Sequence, residues 1–372
     1  MKFLPFIFIP LAAVSFGGLQ MAEIFLLLFF IYELIQIKKI KVWIFVISII
    51  CFYYIIGDVS ISALSQIIKA MLLPLLYVRF SQIEDHKKIN MHEESYFVSI
   101  LILFMLLSIP LGFRLPVGSY LDADAGFFRH SVDTACFIIM SIYYFTRHSK
   151  LPLYFSSLFI LPVLFLGGSR TILGLVPMYF LLKRPVLGLT MIIILFIAIF
   201  LFFDIFIFLG DLGPSSAKIF SFMELVSQGG LNAILFDGSI LIRIENFKAI
   251  FDQMSGIDWI FGMQREDIIS IASATSNGDV STDNIILYKI IYFGLPFGIM
   301  IPIVNFFSLW KLTNEISLLM ILLAYGMLQD WLSNGFGMYI IYTFLILNNS
   351  LISNNIKNLK KDSHEKSQVS QN

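Results

Sequence analysis

Long apolar runs separated by short polar or basic connections recur along almost the whole chain. Runs such as 21–37, 96–113 and 186–209 are close to the roughly 17 to 25 residues that cross the hydrocarbon core of a bilayer. Taking each run bounded by charge, Gly or Pro as one helix predicts twelve spans. They are 3–17, 20–37, 43–57, 60–78, 96–113, 131–146, 151–167, 170–182, 186–209, 284–308, 315–331 and 334–352. The pattern predicts an all-α fold, a polytopic membrane helix bundle of about 12 transmembrane helices.

Composition agrees with the pattern. The chain is 58% hydrophobic and 13% charged, too little polar surface for a water-soluble domain of this size. We expect one transmembrane domain over 1–352 and a polar cytoplasmic tail over 353–372. The formal net charge is zero, and no basic cluster is interleaved with aromatic residues, which argues against nucleic acid as a partner. The two cysteines, Cys51 and Cys136, lie inside apolar runs and indicate no disulfide framework.

The positions of the basic residues predict the orientation of the bundle. With the N-terminus in the cytoplasm, 16 of the 25 basic residues fall on the cytoplasmic side, as the positive-inside rule requires: Lys2, Lys38, Lys39, Lys41, Arg79, Lys87, Lys88, Arg147, Lys150, Lys183, Arg184, Lys311, Lys357, Lys360, Lys361 and Lys366. Lys69 and Lys289 fall inside spans. Both termini are then cytoplasmic, and one large helical extracytoplasmic loop, about 210–283, lies outside. Long connections of this kind usually carry function.

Arg170 is a candidate anion-binding residue. It lies in Gly167-Gly168-Ser169-Arg170-Thr171, between a run that reaches the outer face and one that returns. Ser169 is a natural N-cap, and the start of the returning helix offers free N–H groups and a positive dipole end. Together they describe a site for phosphate or diphosphate. The simpler alternative is an arginine that snorkels to lipid head groups.

Arg243 is a second candidate, within the amphipathic stretch 239–254 of the outer loop. Helical spacing places Ile240, Ile244, Phe247, Phe251 and Met254 on one face. Arg243 falls on the shoulder of that face, whereas Glu245, Lys248 and Asp252 point away. A guanidinium on the packed side is suited to binding an anion in a cavity, although a shoulder arginine can also extend to solvent.

Other polar residues on the outer side are weaker candidates. Asp283 and Asn284 open the span that follows the loop; they are either an N-cap or a general base with an amide that orients a sugar hydroxyl. Arg265 binds substrate or is a solvated loop charge. A shorter outer loop carries candidate acceptor-binding residues: Arg114, Asp122, Asp124, Arg129 and His130. No zinc-like ligand spacing exists, and we expect no metal site and no cofactor.

The order and sidedness of these motifs resemble the O-antigen polymerase and O-antigen ligase superfamily, the Wzy-type and WaaL-like membrane glycosyltransferases. The counterparts are the Ser169-Arg170-Thr171 turn, Ile242-Arg243 followed by Trp259-Ile260-Phe261-Gly262, and Asp283-Asn284 leading to Gly294 and Gly298. The resemblance covers most of the chain as architecture. One departure is clear: ligase-like members often have a His-Asn pair where this chain has Asp283-Asn284, which disfavours a ligase mechanism.

The resemblance implies a polysaccharide polymerase in the bacterial cytoplasmic (inner) membrane. Its donor and acceptor would be undecaprenyl-diphosphate-linked oligosaccharides, with a chain-length regulator as a possible partner. Arg170 and Arg243 would stabilise the leaving diphosphate, and Asp283 would assist deprotonation of the attacking hydroxyl.

Two alternatives stay open: an O-antigen ligase, which uses the same donor, and a transporter or flippase of lipid-linked glycans. Transporters usually show internal repeats, interrupted helices and charges near mid-bilayer.

Overall fold

The computed structural model describes residues 4–16, 19–37, 39–56, 61–82, 91–108, 111, 131–147, 170–201, 238–275 and 284–348. These residues confirm the all-α fold. The fifteen helices of the described part are α1 Leu4–Ile7, α2 Ile9–Ala12, α3 Met21–Gln36, α4 Ile40–Ile56, α5 Ile61–Gln82, α6 Met91–Ser108, α7 Ser131–Arg147, α8 Arg170–Lys183, α9 Pro185–Leu201, α10 Gly238–Gln253, α11 Asp258–Phe261, α12 Arg265–Thr275, α13 Ile285–Thr313, α14 Ile316–Leu328 and α15 Gly335–Asn348. A two-residue pairing, β1 Ser15–Phe16 with β2 Leu19–Gln20, turns the chain into α3.

The helices follow the apolar runs closely, because a charged or turn-forming residue ends each run. Among the described residues, two predicted spans nevertheless differ from continuous helices; the predicted span 151–167 lies outside the described residues. The described part of the first run forms two four-residue helices separated by a turn at Phe8. Pro10 lies in the first turn of α2, where its missing N–H is tolerated but a helix continuing from α1 would be broken. The run 284–308 was predicted as one span, and α13 is broken at Gly294.

Two helices, Leu64–Gln82 and Ile285–Thr313, are long and apolar enough to cross a membrane. Shorter apolar helices surround them, including Ile316–Leu328 and Gly335–Asn348. Many large apolar side chains on the bundle surface are exposed, for example Ile40 and Val186 at 72% and 81%. Such a surface is suited to lipid contact and poorly suited to water.

Two helix ends that carry basic residues, those of α7 and α8, lie at one end of the bundle, which we call the Glu315 end. Lys183, in the last turn of α8, pairs with Glu315 at the start of α14 at 2.8 Å. Arg147, at the end of α7, donates to the carbonyl of Thr313 at the end of α13. The helices α7, α8 and α13 therefore end at the Glu315 end, and α14 begins there.

Candidate functional site

Two buried lysines from different helices converge on a single turn between α14 and α15. Lys289 donates from Nζ to the hydroxyl of Ser333 at 2.6 Å, and Lys69 donates to the carbonyl of the same serine at 2.7 Å. Lys289 also donates to Gln66 Oε1 at 3.0 Å. Both lysine side chains are almost completely buried, 0% and 2% exposed. Burying an ammonium group is costly unless charge and hydrogen bonds compensate.

Two carboxylates supply that compensation. Glu23, in the first turn of α3, lies 3.3 Å from Lys69, and its Oε1 also accepts a hydrogen bond from Ser65 at 3.3 Å. Asp330 accepts from the Ser333 hydroxyl and, at 3.1 Å, from the Ser333 backbone N–H. The group has equal positive and negative formal charge. We call it the Ser333 cluster: Glu23, Gln66, Lys69, Lys289, Asp330 and Ser333.

Local sequence fixes the turn that the lysines bind. Trp331 donates its indole N–H to the carbonyl of Leu322 at 2.9 Å. Asn334 caps α15, because its Oδ1 accepts from the N–H groups of Phe336 and Gly337 at 2.9 and 3.1 Å. Gly335 lets α3 approach, since a Cβ there would lie 2.9 Å from Glu23 Cγ. The turn is thus a rigid support for polar groups.

The break in α13 lies one turn beyond Lys289. Gly294 has φ 74° and ψ 169°, a conformation that only glycine adopts without strain. A Cβ on Gly298 would lie 2.4 Å from the Cα of Ile290. Residues eight apart in a continuous helix are separated by about 12 Å along the axis, so the chain bends sharply at Gly294. The segment 285–293 folds back against the longer segment 295–313.

The connection around α11 packs directly on this break. The Met263 N–H donates to the carbonyl of Ile291 at 2.8 Å, one of the carbonyls that the break removes from the helical ladder. A Cβ on Gly294 would lie 2.2 Å from the carbonyl oxygen of Ile260, and one on Gly262 would lie 2.3 Å from that of Tyr292. Two glycines therefore permit backbone-to-backbone contact between α11 and α13.

The helix α10 completes this side of the structure. It packs against α12 and α13, and Phe251 stacks on Trp259 of α11 with ring centroids 5.4 Å apart. Phe247, Ile250 and Met254 are buried, and Arg243 on the same side is partly buried. The exposed residues are those predicted to point away: Glu245, Lys248 and Asp252. Ile244 was predicted on the packed face but is 55% exposed, because the packed stripe is centred on Ile250.

The other predicted site residues are placed as follows. Asn284 is the N-cap of α13: its Oδ1 accepts from Ile286 and Leu287 N–H, each at 3.0 Å, and its Nδ2 donates to the carbonyl of Met327 at 2.9 Å. Arg170 and Arg265 are the first residues of α8 and α12; their side chains lie outside the described part of the structure. Several candidates lie entirely outside the described residues: Arg114, Asp122, Asp124, Arg129, His130 and Asp283.

Sequence reasoning missed the Ser333 cluster as a site. A signal was present, because Lys69 and Lys289 are basic residues inside apolar runs, and a charge in such a run requires a partner. Their partners were not predictable, since Glu23, Asp330 and Ser333 come from other helices. The structure also brings together two motifs singled out in the sequence, Trp259–Gly262 and Gly294 with Gly298.

The Ser333 cluster places two cations, two carboxylates and a hydroxyl beside a broken helix, where the buried charges compensate one another. In the described ranges, no three His, Cys, Asp or Glu side chains lie close enough to hold a metal ion. No known protein-family model matches the chain, and no curated protein sequence matches it.

Proposed function

We propose that this protein is a polysaccharide polymerase of the O-antigen or capsule type. It joins undecaprenyl-diphosphate-linked oligosaccharide repeat units by inverting glycosyl transfer on the outer face of the bacterial cytoplasmic membrane. In this proposal the chain forms about twelve transmembrane helices with both termini in the cytoplasm. Its donor and acceptor are lipid-linked glycans, and a chain-length regulator is a candidate partner.

The observation that carries the proposal is the packing of α10 and α11 on the broken helix α13. Arg243 lies on the packed side of α10, while Lys248 on the same helix is exposed. A helical segment held against a helix break, with a cation on its inner side, is a suitable place to bind a diphosphate at the membrane surface.

The proposed reaction is a single displacement at the anomeric carbon of the donor. A hydroxyl oxygen of the acceptor glycan forms the new C–O bond as the bond from that carbon to the diphosphate oxygen breaks. The diphosphate leaves with the electron pair, and Arg170 and Arg243 stabilise its growing charge. Asp283 accepts the hydroxyl proton, and Asn284 helps to orient the acceptor.

The test is conversion of a purified undecaprenyl-diphosphate oligosaccharide by the protein in nanodiscs, resolved by gel and mass spectrometry. We expect a ladder of lipid-linked multimers from wild type. Arg170→Ala and Arg243→Ala each lower the rate by roughly 10²–10³-fold, the effect of removing one stabilising group from an anionic transition state. Lys248→Ala is the matched control, since it removes an exposed cation from the same helix as Arg243 and leaves the rate unchanged.

Two outcomes would count against this proposal. Unchanged substrate from folded wild-type protein, with a matched repeat unit, excludes polymerisation of that unit. Transfer of one glycan to a different lipid acceptor, without a ladder, identifies a ligase.

A second candidate, transport of a lipid-linked glycan, is favoured by one observation: buried charges beside an interrupted helix are typical of transporters. Movement of the lipid-linked glycan across proteoliposomes without any ladder would identify that activity.

A further inference from the structure

A long apolar groove separates α4 from α5 and α13. Its volume is about 310 Å³. Aliphatic and aromatic side chains line almost all of it, among them Phe45 and Ile49 of α4, Leu75 of α5, and Phe297 and Val304 of α13. On the outer surface of α4, Ile44 and Phe45 are 59% and 58% exposed. The groove therefore opens beside an apolar helix face.

The groove has one charged end. Lys41, at the start of α4, is the charged residue among those that line it, and its side chain is exposed. Arg79 marks the same end of α5 and pairs with Glu33 near the end of α3 at 2.6 Å. The other end reaches Ile67 and Phe293, close to the Ser333 cluster. A cation at one end and hydrocarbon along the rest match the charge pattern of an anionic lipid.

The dimensions fit one acyl chain. Along α5 the lining runs from Ile67 to Val78, twelve residues that span about 16 Å of helix. One leaflet supplies about half of the roughly 30 Å hydrocarbon core, so the groove is about as long as a single leaflet is thick. A chain whose head group lies at Lys41 would end near the middle of the bilayer.

One buried polar side chain lies at the wall of the groove. Asn305 lines the groove and is 1% exposed. Its Nδ2 donates to the carbonyls of Ala70 and Ile301 at 2.8 and 2.9 Å. Among the described residues, nothing donates to its Oδ1. Through its Nδ2, the Asn305 side chain ties α13 to α5 at the wall of the groove.

We propose that this groove binds one anionic phospholipid, with its phosphate at Lys41 and one acyl chain between α4, α5 and α13. The lipid belongs to the leaflet at the Lys41 end of the bundle. It fills the space between α4 and the rest of the bundle and so holds α4 in place. The proposal rests on a membrane location and is independent of the reaction proposed above, because it involves neither Arg243 nor the Ser333 cluster.

The test uses two pairs of matched variants, purified in detergent and titrated with phosphatidylglycerol or phosphatidylcholine. Native mass spectrometry counts the lipids that each protein retains. Lys41→Gln removes the lysine that lines the groove, whereas Lys39→Gln removes an exposed neighbour outside it. Val304→Trp fills the groove, whereas Ile303→Trp adds the same bulk to an adjacent exposed position.

We expect wild type to retain phosphatidylglycerol in preference to phosphatidylcholine. Lys41→Gln weakens that binding about five-fold, the effect of one lysine near an anionic lipid, and Val304→Trp abolishes the tightly held copy. The Lys39→Gln and Ile303→Trp controls bind as wild type does and show that the substitutions do not unfold the protein.

Three results would overturn the proposal. Equal retention by Val304→Trp and wild type means that a part of the chain outside the described residues covers the groove. If Val304→Trp loses the bound lipid but Lys41→Gln retains it as wild type does, an acyl chain occupies the groove and its head group does not lie at Lys41. If the protein retains the two phospholipids equally, the groove does not select an anionic head group.

Discussion

At the scale of single residues, the main feature is the number of buried charges that one serine connects. Ser333 accepts a hydrogen bond from Lys289 on its hydroxyl and one from Lys69 on its carbonyl, and its own hydroxyl donates to Asp330. Each charge in such a cluster is acceptable only while its partners are present, because a single unpaired charge in a dry site is costly. The cluster connects α3, α5, α13 and the turn between α14 and α15. The stability of their packing therefore depends on charge balance in the cluster.

Removing one lysine should destabilise the protein more than removing a lysine and an acid together. We expect Lys289→Met to lower the free energy of unfolding by about 3–5 kcal/mol, the usual cost of breaking a buried ion pair on one side. Combining it with Asp330→Asn restores part of the loss, since the number of positive and negative charges is again equal. The single and double variants are compared by thermal unfolding in detergent, in which size-exclusion chromatography measures the fraction of protein that stays folded after heating.

Lys311→Met is the matched control for this experiment. Lys311 lies on the same helix as Lys289, but it is exposed and contacts Trp310, with its Nζ 4.6 Å from a ring centroid. Its loss should cost no more than about 1 kcal/mol. If Lys289→Met and Lys311→Met unfold at the same temperature, the cluster does not stabilise the fold.

At the scale of elements, α13 is one helix in sequence pattern and two in structure. Its 29 residues would span about 43 Å as a continuous helix, more than a bilayer core requires. The break leaves 295–313, which has the length of a single span. Apolar residues continue on both sides of Gly294, so hydrophobic periodicity alone could not locate the break, although Gly294 and Pro296 are residues that interrupt helices. The break is held by contact with the α11 connection, which joins residues 28 to 34 positions apart.

Gly294→Ala should separate α11 from α13. The left-handed backbone adds strain of about 1–3 kcal/mol for a residue with a side chain, and the new Cβ would meet the carbonyl oxygen of Ile260 at 2.2 Å. We expect a lower unfolding temperature and faster tryptic cleavage after Arg265, which follows the α11 connection. Gly174→Ala is the control: nothing lies within 4 Å of its added Cβ, and a helical glycine replaced by alanine gains about 0.5–1 kcal/mol. Equal cleavage in the two variants would mean that the break does not depend on glycine.

At the scale of the whole molecule, the sequence predicted the local elements well and their contacts poorly. Apolar runs bounded by charge gave the helices, because lipid-facing and core-facing positions are both apolar and only the ends are polar. A cap was one of the two interpretations of Asn284, and the structure confirms that it caps α13. The prediction that Ile244 lies on the packed face was wrong. Its helix packs on α12 and α13, and hydrophobic periodicity does not predict where those neighbours lie. The Ser333 cluster was out of reach for the same reason, since its charges belong to separate helices.

The orientation of the bundle is a further prediction that labelling can test. Arg147 and Lys183 lie together at the Glu315 end, and such basic helix ends face the cytoplasm under the positive-inside rule. Gly256, in the connection before α11, should then face the outer side. In a Cys51→Ser, Cys136→Ala background, a membrane-impermeant maleimide should label Gly256→Cys in intact spheroplasts. It should label Lys39→Cys only after permeabilisation.

Both test positions are exposed, and a Cβ on Gly256 meets nothing within 4 Å, so neither substitution should disturb the fold. The reverse labelling pattern would place Arg243 and the break in α13 on the cytoplasmic side. A donor presented on the outer face could not then reach them, and the polymerase proposal would fail with the orientation. The expected labelling pattern would place the Arg243 side of the molecule on the outer face, where a lipid-linked glycan in the outer leaflet can reach it. Glycosyl transfer at this site requires that access.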